Sequence, residues 1–224
     1  MQLLGTGFLA KFKNHIFLVT AKHVIEGCEK RLVMIALGKN VVKLNHMPFY
    51  AIDEYDLAIA NIDDQLAKSF GISKVTAIPL DDDKSGYVPN GRYFLLGFPG
   101  NKNLITPRFP PEGLHVHGTS FVKKHSKIKA KTPVSNAVAF EFDKKTAINT
   151  NGARANAPSF KGNSGGPILE VVVISQSQGS KSVGCRFAGV FIGWYNREKE
   201  AIAESPSALL ELIESIIFHY LKKP

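Results

Sequence analysis

The sequence predicts an all-β protein built from small barrels. Short runs rich in β-branched and aromatic residues recur at close spacing and are separated by turn residues such as Gly38-Lys39-Asn40. Strands of this length and spacing are typical of barrels rather than of alternating helices and strands. The strongest helical pattern is confined to the C-terminal end. With 224 residues, 44% of them hydrophobic, the chain can bury a substantial core as one compact unit.

The predicted elements of the N-terminal half begin with a hairpin. Residues 3–12 and 15–20 are apolar runs on either side of a Lys13-Asn14 turn. A short helical turn at residues 21–26 follows, and Gly27 closes it. Further strands are predicted at residues 31–37, 41–44, 48–52 and 57–62, and residues 64–70 fit one or two helical turns.

The C-terminal half starts near Arg92 with a strand that ends in turn residues before Gly100. A long polar stretch, residues 101–133, is predicted to be mostly loop. The remaining strands are predicted at residues 114–116, 120–122, 138–142, 168–174 and 187–194.

A C-terminal helix follows these strands. Ser205 can cap it and Pro206 suits its first position. Its apolar face is formed by Leu209, Leu210, Ile213, Ile216, Ile217, Tyr220 and Leu221. We expect this face to pack against the barrels; docking to a partner or a membrane surface is the alternative.

The residues that carry chemistry centre on a turn from Gly162 to Pro167. Here Ser164 stands between glycines, directly before a branched apolar run. A serine hydroxyl is a weak nucleophile at neutral pH, so it needs a nearby base and donors for the negative charge that develops during attack. Glycines allow backbone N–H groups to approach closely.

This turn resembles the active-serine motif of the chymotrypsin-like (trypsin-like) serine proteases. Two further motifs lie upstream in the order of that family: residues 20–24 resemble its histidine motif and residues 55–60 its aspartate motif. The resemblance extends from Gly5 to about Trp194. It implies two six-stranded antiparallel β-barrels with a C-terminal α-helix: residues 1–90 form the N-terminal barrel, 91–200 the C-terminal barrel and 201–224 the helical segment.

The resemblance also implies roles for individual residues. His23 would be the general base, Asp56 would orient its imidazole, and Ser164 would be the nucleophile. The backbone amides of residues 162–164 (Gly162, Asn163, Ser164) would form the oxyanion hole. An extended substrate would bind along Ile192, Gly193 and Trp194, and Trp194 would narrow the pocket. No cofactor is implied.

Two departures from the digestive members of the family concern activation and specificity. Asn163 stands where those enzymes carry an aspartate that pairs with a newly cut N-terminus, so the chain is closer in motif to the bacterial high-temperature-requirement proteases. Pro158 stands six residues before the serine, where trypsin has the acid that selects lysine or arginine. A preference for cleavage after basic residues is therefore not indicated.

Composition narrows the cellular setting. The two cysteines, Cys28 and Cys185, are expected to be unpaired and partly buried thiols in a reducing compartment, with a single disulfide as the alternative. No apolar run approaches the roughly 18 residues of a membrane span, and the first residues lack the basic lead of a secretory signal. We expect a cytoplasmic protein without a membrane partner.

The net charge of +9 favours acidic partners. Five lysines and no acid lie from Lys123 to Lys131, a segment that is either a solvated loop or a docking site for an acidic protein or nucleic acid. His115 and His117 alternate on a predicted strand and could share a metal ion, but no third ligand is evident, so we expect no metal site.

The sequence thus predicts a serine endopeptidase that hydrolyses protein or peptide substrates through an acyl-enzyme intermediate. One alternative is a protease-like binding module that keeps the three motifs without turnover. A weaker alternative is a nucleic-acid-binding protein, which would be retained on DNA or RNA in a salt-sensitive manner through the lysines of residues 123–131.

Overall fold

The computed structural model describes residues 4–26, 34–37, 40–43, 47–62, 64–69, 77–80, 87–100, 117–132, 134–142, 159–175 and 179–221. The predicted fold class is confirmed, since these residues are mostly in antiparallel β-sheets followed by a C-terminal helix.

The N-terminal half contributes six of the described strands. They are β1 (Gly7–Phe12), β2 (His15–Ala21), β3 (Met34–Leu37), β4 (Asn40–Lys43), β5 (Leu57–Ile62) and β6 (Ile78–Pro79). Two short helices accompany them, α1 (Lys22–Ile25) and α2 (Asp64–Ser69). β1 and β2 form the predicted hairpin, in which Lys13 adopts a φ of 53° at the turn.

These six strands lie in two sheets. One sheet has the order β5-β2-β1-β6, and β3 pairs with β4 separately. The four-stranded sheet ends at β6, which pairs with β1 over two residues only. The described residues of the N-terminal half therefore show these two sheets, and the closure of the predicted N-terminal barrel stays a prediction.

The C-terminal half forms the predicted six-stranded barrel, which is closed. Its strands are β7 (Tyr87–Gly97), β8 (His117–Lys123), β9 (Ala137–Glu141), β10 (Pro167–Ser175), β11 (Lys181–Tyr195) and β12 (Glu200–Glu204). Around the barrel the order is β10-β11-β12-β9-β8-β7, and every neighbouring pair is antiparallel. The predicted strand at residues 114–116 lies outside the described residues.

Strand β12 is an element that the sequence did not predict. The expected division placed residues 201–224 in the helical segment, whereas β12 extends to Glu204 and the helix begins at Pro206. Alanine and glutamate favour helices locally. Pairing with β11 and β9 overrides that preference and buries all five residues of the strand.

Helix α3 (Pro206–Ile216), continued by a π-helical turn (Ile217–Leu221), covers one face of the N-terminal sheet. The hydroxyl of Ser205 accepts a hydrogen bond from the Ala208 amide at 3.2 Å, which confirms the predicted cap. The buried helix residues are Ala208, Leu209, Leu212, Ile213, Ile216 and Ile217. They pack against Phe17, Val19 and Leu57, so the predicted packing of the helix is confirmed. The side chains of Tyr220 and Leu221 lie outside the described ones.

A second core fills the C-terminal barrel. It consists of Tyr93, Leu95, Phe121, Phe140, Phe160, Ile168, Phe191, Ala201 and Ala203. The rings are in close contact, as between Phe121 and Phe160, whose centroids lie 5.9 Å apart. This interior supports the loop that precedes β10, because Phe160 and Ile168 flank that loop on either side.

Candidate active site

His23 and Asp56 are brought together where β2 and β5 pair. Ala21 lies opposite Leu57 at the end of this ladder. The residues that follow Ala21 therefore lie next to Asp56, which precedes Leu57. The Lys22 amide donates to the Asp56 carbonyl at 3.1 Å, and the His23 amide donates to Asp56 Oδ1 at 3.0 Å. His23 Nδ1 lies 2.6 Å from Asp56 Oδ2. Both oxygens of the carboxylate therefore hold His23.

This contact determines how the imidazole can exchange protons. With Nδ1–H donating to Asp56, the ring nitrogen left to accept a proton is Nε2. The hydrogen bond to Asp56 raises the pKa of His23; burial works against this shift, and the charges of Asp56 and Glu26 add to it. Asp56 therefore favours the protonated imidazolium.

The His23 imidazole is expected to titrate above 6.5, its ordinary pKa, when followed by NMR of the ring carbons. Since the folded-state pKa exceeds the unfolded one, protonated His23 stabilises the fold below pH 6.5. That stabilisation is lost as the pH rises through the folded-state pKa. Exchange of Asp56 for asparagine should lower the His23 pKa toward 6.5, and an unchanged titration in that variant would contradict the assigned contact.

Ser164 lies in a tight loop directly before β10. The Asn163 amide donates to the Phe160 carbonyl at 3.0 Å, and the Gly166 amide donates back to the Asn163 carbonyl at 2.9 Å. The Gly165 amide donates to the Phe191 carbonyl at 2.7 Å. These bonds hold the serine between its own turn and strand β11.

Gly165 explains why this loop can lie against the end of β2. Its φ is 85°, and a Cβ atom there would lie 2.2 Å from the Thr6 carbonyl oxygen and 2.8 Å from the Ala21 amide nitrogen. Only glycine fits this combination of left-handed backbone and close approach. The residue after Ser164 is thereby in contact with the strand that ends two residues before His23.

Gly165→Ala is expected to destabilise the protein by about 2 to 6 kcal/mol, because overpacking and backbone strain each cost about 1 to 3 kcal/mol. Urea unfolding measures the change. Gly179→Ala is the matched control, since Gly179 has a φ of 73° but no atom within 4 Å of its would-be Cβ. If both variants lost the same free energy of unfolding, the close contact of Gly165 with β2 would contribute nothing to stability.

Thr6 is a linking residue that the sequence did not reveal. It is buried, and its amide donates to the Ser164 carbonyl at 2.8 Å while its hydroxyl donates to the Gly162 carbonyl at 2.8 Å. The Thr20 hydroxyl donates in turn to the Thr6 carbonyl at 2.8 Å. The serine loop is therefore bound to the N-terminal half through the carbonyl groups of Gly162 and Ser164.

The Ser164 hydroxyl donates to the carbonyl of Ile192 at 3.1 Å. Ile192 has no partner in β12, since the register shifts between Phe191 and Gly193 at this point. Among the described hydrogen bonds, none joins Ser164 Oγ to the His23 ring. The hydroxyl proton of Ser164 is therefore directed at the Ile192 carbonyl in this structure.

Two of the three predicted oxyanion donors are available in this geometry. Within the described part of the chain, no hydrogen bond engages the amides of Gly162 and Ser164. Gly162 has a φ of 92°, a backbone conformation that other residues rarely adopt. Asn163 is a correction, because its amide is already bonded to Phe160 and its side chain is 2% exposed.

The residues predicted to line the substrate edge, Ile192, Gly193 and Trp194, lie on β11. Ile192 is buried, while Gly193 and Trp194 are half-buried. The Trp194 ring stacks on Phe160 with centroids 5.0 Å apart, which places an aromatic wall beside the serine loop. Pro158 lies outside the described residues, so its part in the pocket stays a prediction.

The basic segment of residues 123–131 is held to strand β12 by an ion pair and by hydrogen bonds. Lys124 forms an ion pair with the buried carboxylate of Glu200, which also accepts the Ala130 amide at 2.8 Å. Lys124 is therefore an internal group rather than a free surface charge. The lysines that remain exposed are Lys123, Lys127, Lys129 and Lys131.

The remaining predictions concern metals and cysteines. His115 and the side chain of His117 lie outside the described positions, and the described residues contain no group of three or more potential metal ligands. Cys185 is free, as expected, but exposed rather than partly buried. Cys28 lies outside the described residues. None of the described helices is long and apolar enough to span a membrane.

A family model described as a trypsin-like peptidase domain matches residues 5–172. This family model covers trypsin-like peptidases in general, so the predicted similarity of this chain to the high-temperature-requirement proteases stays a prediction. The chain is similar to a solved Glu endopeptidase in complex with MPD, at 13% identity and a TM-score of 0.49, with 95% of this chain and 90% of that chain covered. Catalytically active tobacco etch virus protease complexed with product gives 11% identity, a TM-score of 0.43, and coverages of 93% and 77%. No curated protein matches the sequence.

Proposed function

Because the chain belongs to the trypsin-like peptidase family, we propose that it is a serine endopeptidase in which Ser164, His23 and Asp56 act together. The observation that carries this proposal is the double contact between His23 and Asp56, next to a glycine loop that presents a serine. One carboxylate oxygen of Asp56 accepts the His23 main-chain amide and the other contacts Nδ1 of the ring, so Nε2 is the ring nitrogen that can act as a base.

In the proposed reaction His23 is the base. After the Ser164 side chain turns from Ile192 toward the imidazole, Nε2 takes the hydroxyl proton while Oγ attacks the carbonyl carbon of the scissile peptide. The imidazolium then gives this proton to the leaving amine. Water repeats the sequence on the acyl-enzyme and regenerates the serine.

Asp56 supplies orientation and charge. Its Oδ2 accepts Nδ1–H, so the imidazole is held in the tautomer whose Nε2 can act as base. The raised pKa of His23 means that the imidazolium formed during attack is stabilised where it is made. General-base catalysis of this kind contributes about 10²- to 10⁴-fold.

The oxyanion would be received by the amides of Gly162 and Ser164. Donors fixed by the fold need no reorganisation when charge develops, and removing one such donor costs about 2.7 to 4 kcal/mol of transition-state stabilisation. Thr6 supports this arrangement because it binds the carbonyl groups of Gly162 and Ser164 and so helps to hold the loop that carries both amides.

The substrate is proposed to be a protein segment that lies in extended form along β11. Trp194 and Phe160 border the position next to the scissile bond and favour small or apolar side chains there. The exposed lysines of residues 123–131 support an acidic substrate or partner nearby.

Incubation with an unbiased peptide library, read by mass spectrometry, tests the function. We expect cleavage at defined positions by the wild type and by Ser175→Ala, whose serine is exposed at the end of β10. We expect none by Ser164→Ala. A folded wild-type protein that leaves every peptide intact would contradict the proposal.

The second candidate is a protease-like binding module. It is favoured by one observation, namely that the Ser164 hydroxyl is bonded to Ile192 and not to His23. Such a protein would retain extended peptides without cleaving them, and Ser164→Ala would bind them as well as the wild type does.

A further inference from the structure

Glu204 connects the candidate site to the C-terminal barrel. It is the last residue of β12, it is fully buried, and it pairs with Val190 of β11. Its Oε1 accepts a hydrogen bond from the Asp56 amide at 2.9 Å. The carboxyl group therefore reaches from the C-terminal barrel to the segment that precedes β5.

The same two strands also hold the serine loop. Phe191 of β11 lies opposite Ala203 of β12. Its carbonyl accepts the Gly165 amide at 2.7 Å, and its amide donates to the Gly166 carbonyl at 2.8 Å. The paired strands β11 and β12 thus contact both parts of the site: Phe191 holds the serine loop, and Glu204 holds Asp56. The pairing of these strands sets the position of Asp56 relative to the serine loop.

The burial of Glu204 is costly for folding, which suggests a role beyond packing. Among the described residues, its Oε2 has no hydrogen-bond partner. A buried carboxyl group that is only partly hydrogen-bonded destabilises a fold. Burial raises the pKa of Glu204, the hydrogen bond from the Asp56 amide lowers it, and the charge of Asp56 raises it further.

Glu200 shows what a fully compensated acid looks like on the same strand. It is equally buried, but it is paired with Lys124 and accepts the amides of Lys129 and Ala130. Two buried acids of one strand therefore differ in their partners. Glu200 is surrounded by hydrogen-bond donors, whereas the described partner of Glu204 is the amide of Asp56, which holds His23.

Resting on the proposed function, we propose that Glu204 is a positioning residue, whose carboxyl group holds Asp56, and through it the His23 imidazole, in place relative to the serine loop. When ionised, this carboxylate in contact with the Asp56 amide is also expected to favour the imidazolium. The other described ionisable groups around this pair are Lys22, Glu26, Asp53, Tyr55 and Glu211, of which Tyr55 donates to Glu211 at 2.6 Å.

Two substitutions of Glu204 test the proposal. Glu204→Ala removes the acceptor, and we expect kcat to fall at least about tenfold with KM within about threefold, since 1.36 kcal/mol of lost alignment is tenfold in rate. Glu204→Gln keeps an amide oxygen in the same place, and kcat should return to within about threefold of the wild type. Both remove the carboxylate next to Asp56 and should lower the His23 pKa in an NMR titration.

Glu200→Gln is the matched control. It changes an equally buried acid on the same strand, so it should lower the unfolding midpoint while kcat and the His23 titration stay as in the wild type. An effect of Glu200→Gln on kcat or on the His23 pKa as large as that of the Glu204 variants would reduce Glu204 to a structural role.

Other outcomes also decide the proposal. Wild-type kcat in Glu204→Ala, or a His23 pKa that both Glu204 variants leave unchanged, overturns it. If Glu204→Ala does not fold, Glu204→Gln decides alone through the titration. If the wild type cleaves nothing, the proposed peptidase function fails, yet a His23 pKa lowered in Glu204→Gln still supports the positioning contact, and an unchanged one rejects it.

Discussion

Ser164→Ala is expected to lower kcat by about a millionfold, equivalent to about 8 kcal/mol of transition-state stabilisation. The loss is this large because the serine and its base act as a unit, so removal of the nucleophile leaves only binding and the oxyanion donors. The fold should hardly change, since the hydroxyl makes one described hydrogen bond, to Ile192, and such a bond contributes about 1 kcal/mol.

Single-turnover hydrolysis of a peptide selected from the library measures this loss, with thermal unfolding recorded in parallel. Ser175→Ala controls for the removal of a hydroxyl from the same stretch of chain and should retain wild-type kcat. A Ser164→Ala variant that keeps more than about a thousandth of the wild-type kcat would mean that another group is the nucleophile.

Asp56→Asn is expected to lower kcat by about 10⁴-fold. Asparagine can still accept the His23 amide through its remaining oxygen, so the local geometry should survive. Its NH₂ group, however, would face Nδ1 and favour the tautomer that carries the proton on Nε2, which then cannot act as base. The substitution also removes the charge that raises the pKa of Glu204, so the Glu204 pKa should fall.

Asp53→Asn is the matched control for this prediction. Asp53 lies three residues earlier, carries the same charge and accepts a hydrogen bond from Lys22 at 2.7 Å, but its side chain is fully exposed. The kcat of the Asp53→Asn variant should stay within about twofold of the wild-type kcat. If Asp53→Asn reduced kcat as strongly as Asp56→Asn, the effect would be one of surface charge and not of tautomer.

Local sequence patterns predicted the parts of the site that depend on neighbouring residues. The apolar runs around Lys13-Asn14 predicted the hairpin whose second strand ends two residues before His23, and Ser205-Pro206 predicted the start of α3. A glycine-flanked Ser164 indicated a tight loop, since positive φ and close approach leave few alternatives to glycine. These features follow from backbone geometry that a few adjacent residues determine.

Features set by pairing between distant strands could not be predicted. Strand β12 has a helix-favouring composition, so Glu204 was expected in the helical segment, and only barrel closure places it against Asp56. Thr6 reveals its role only when the serine loop lies on it. The amide of Asn163 fits the oxyanion motif in sequence, but the turn directs it to Phe160 instead.

The central claim is that His23 and Asp56 activate Ser164. Its most direct measurement is reaction of the intact protein with a fluorophosphonate probe, followed by peptide mass spectrometry to locate the adduct. We predict a single adduct on Ser164 in the wild type, formed far more slowly in His23→Ala and absent in Ser164→Ala. An unmodified, folded wild type, or an adduct that forms on Ser164 at the same rate without His23, would contradict the claim.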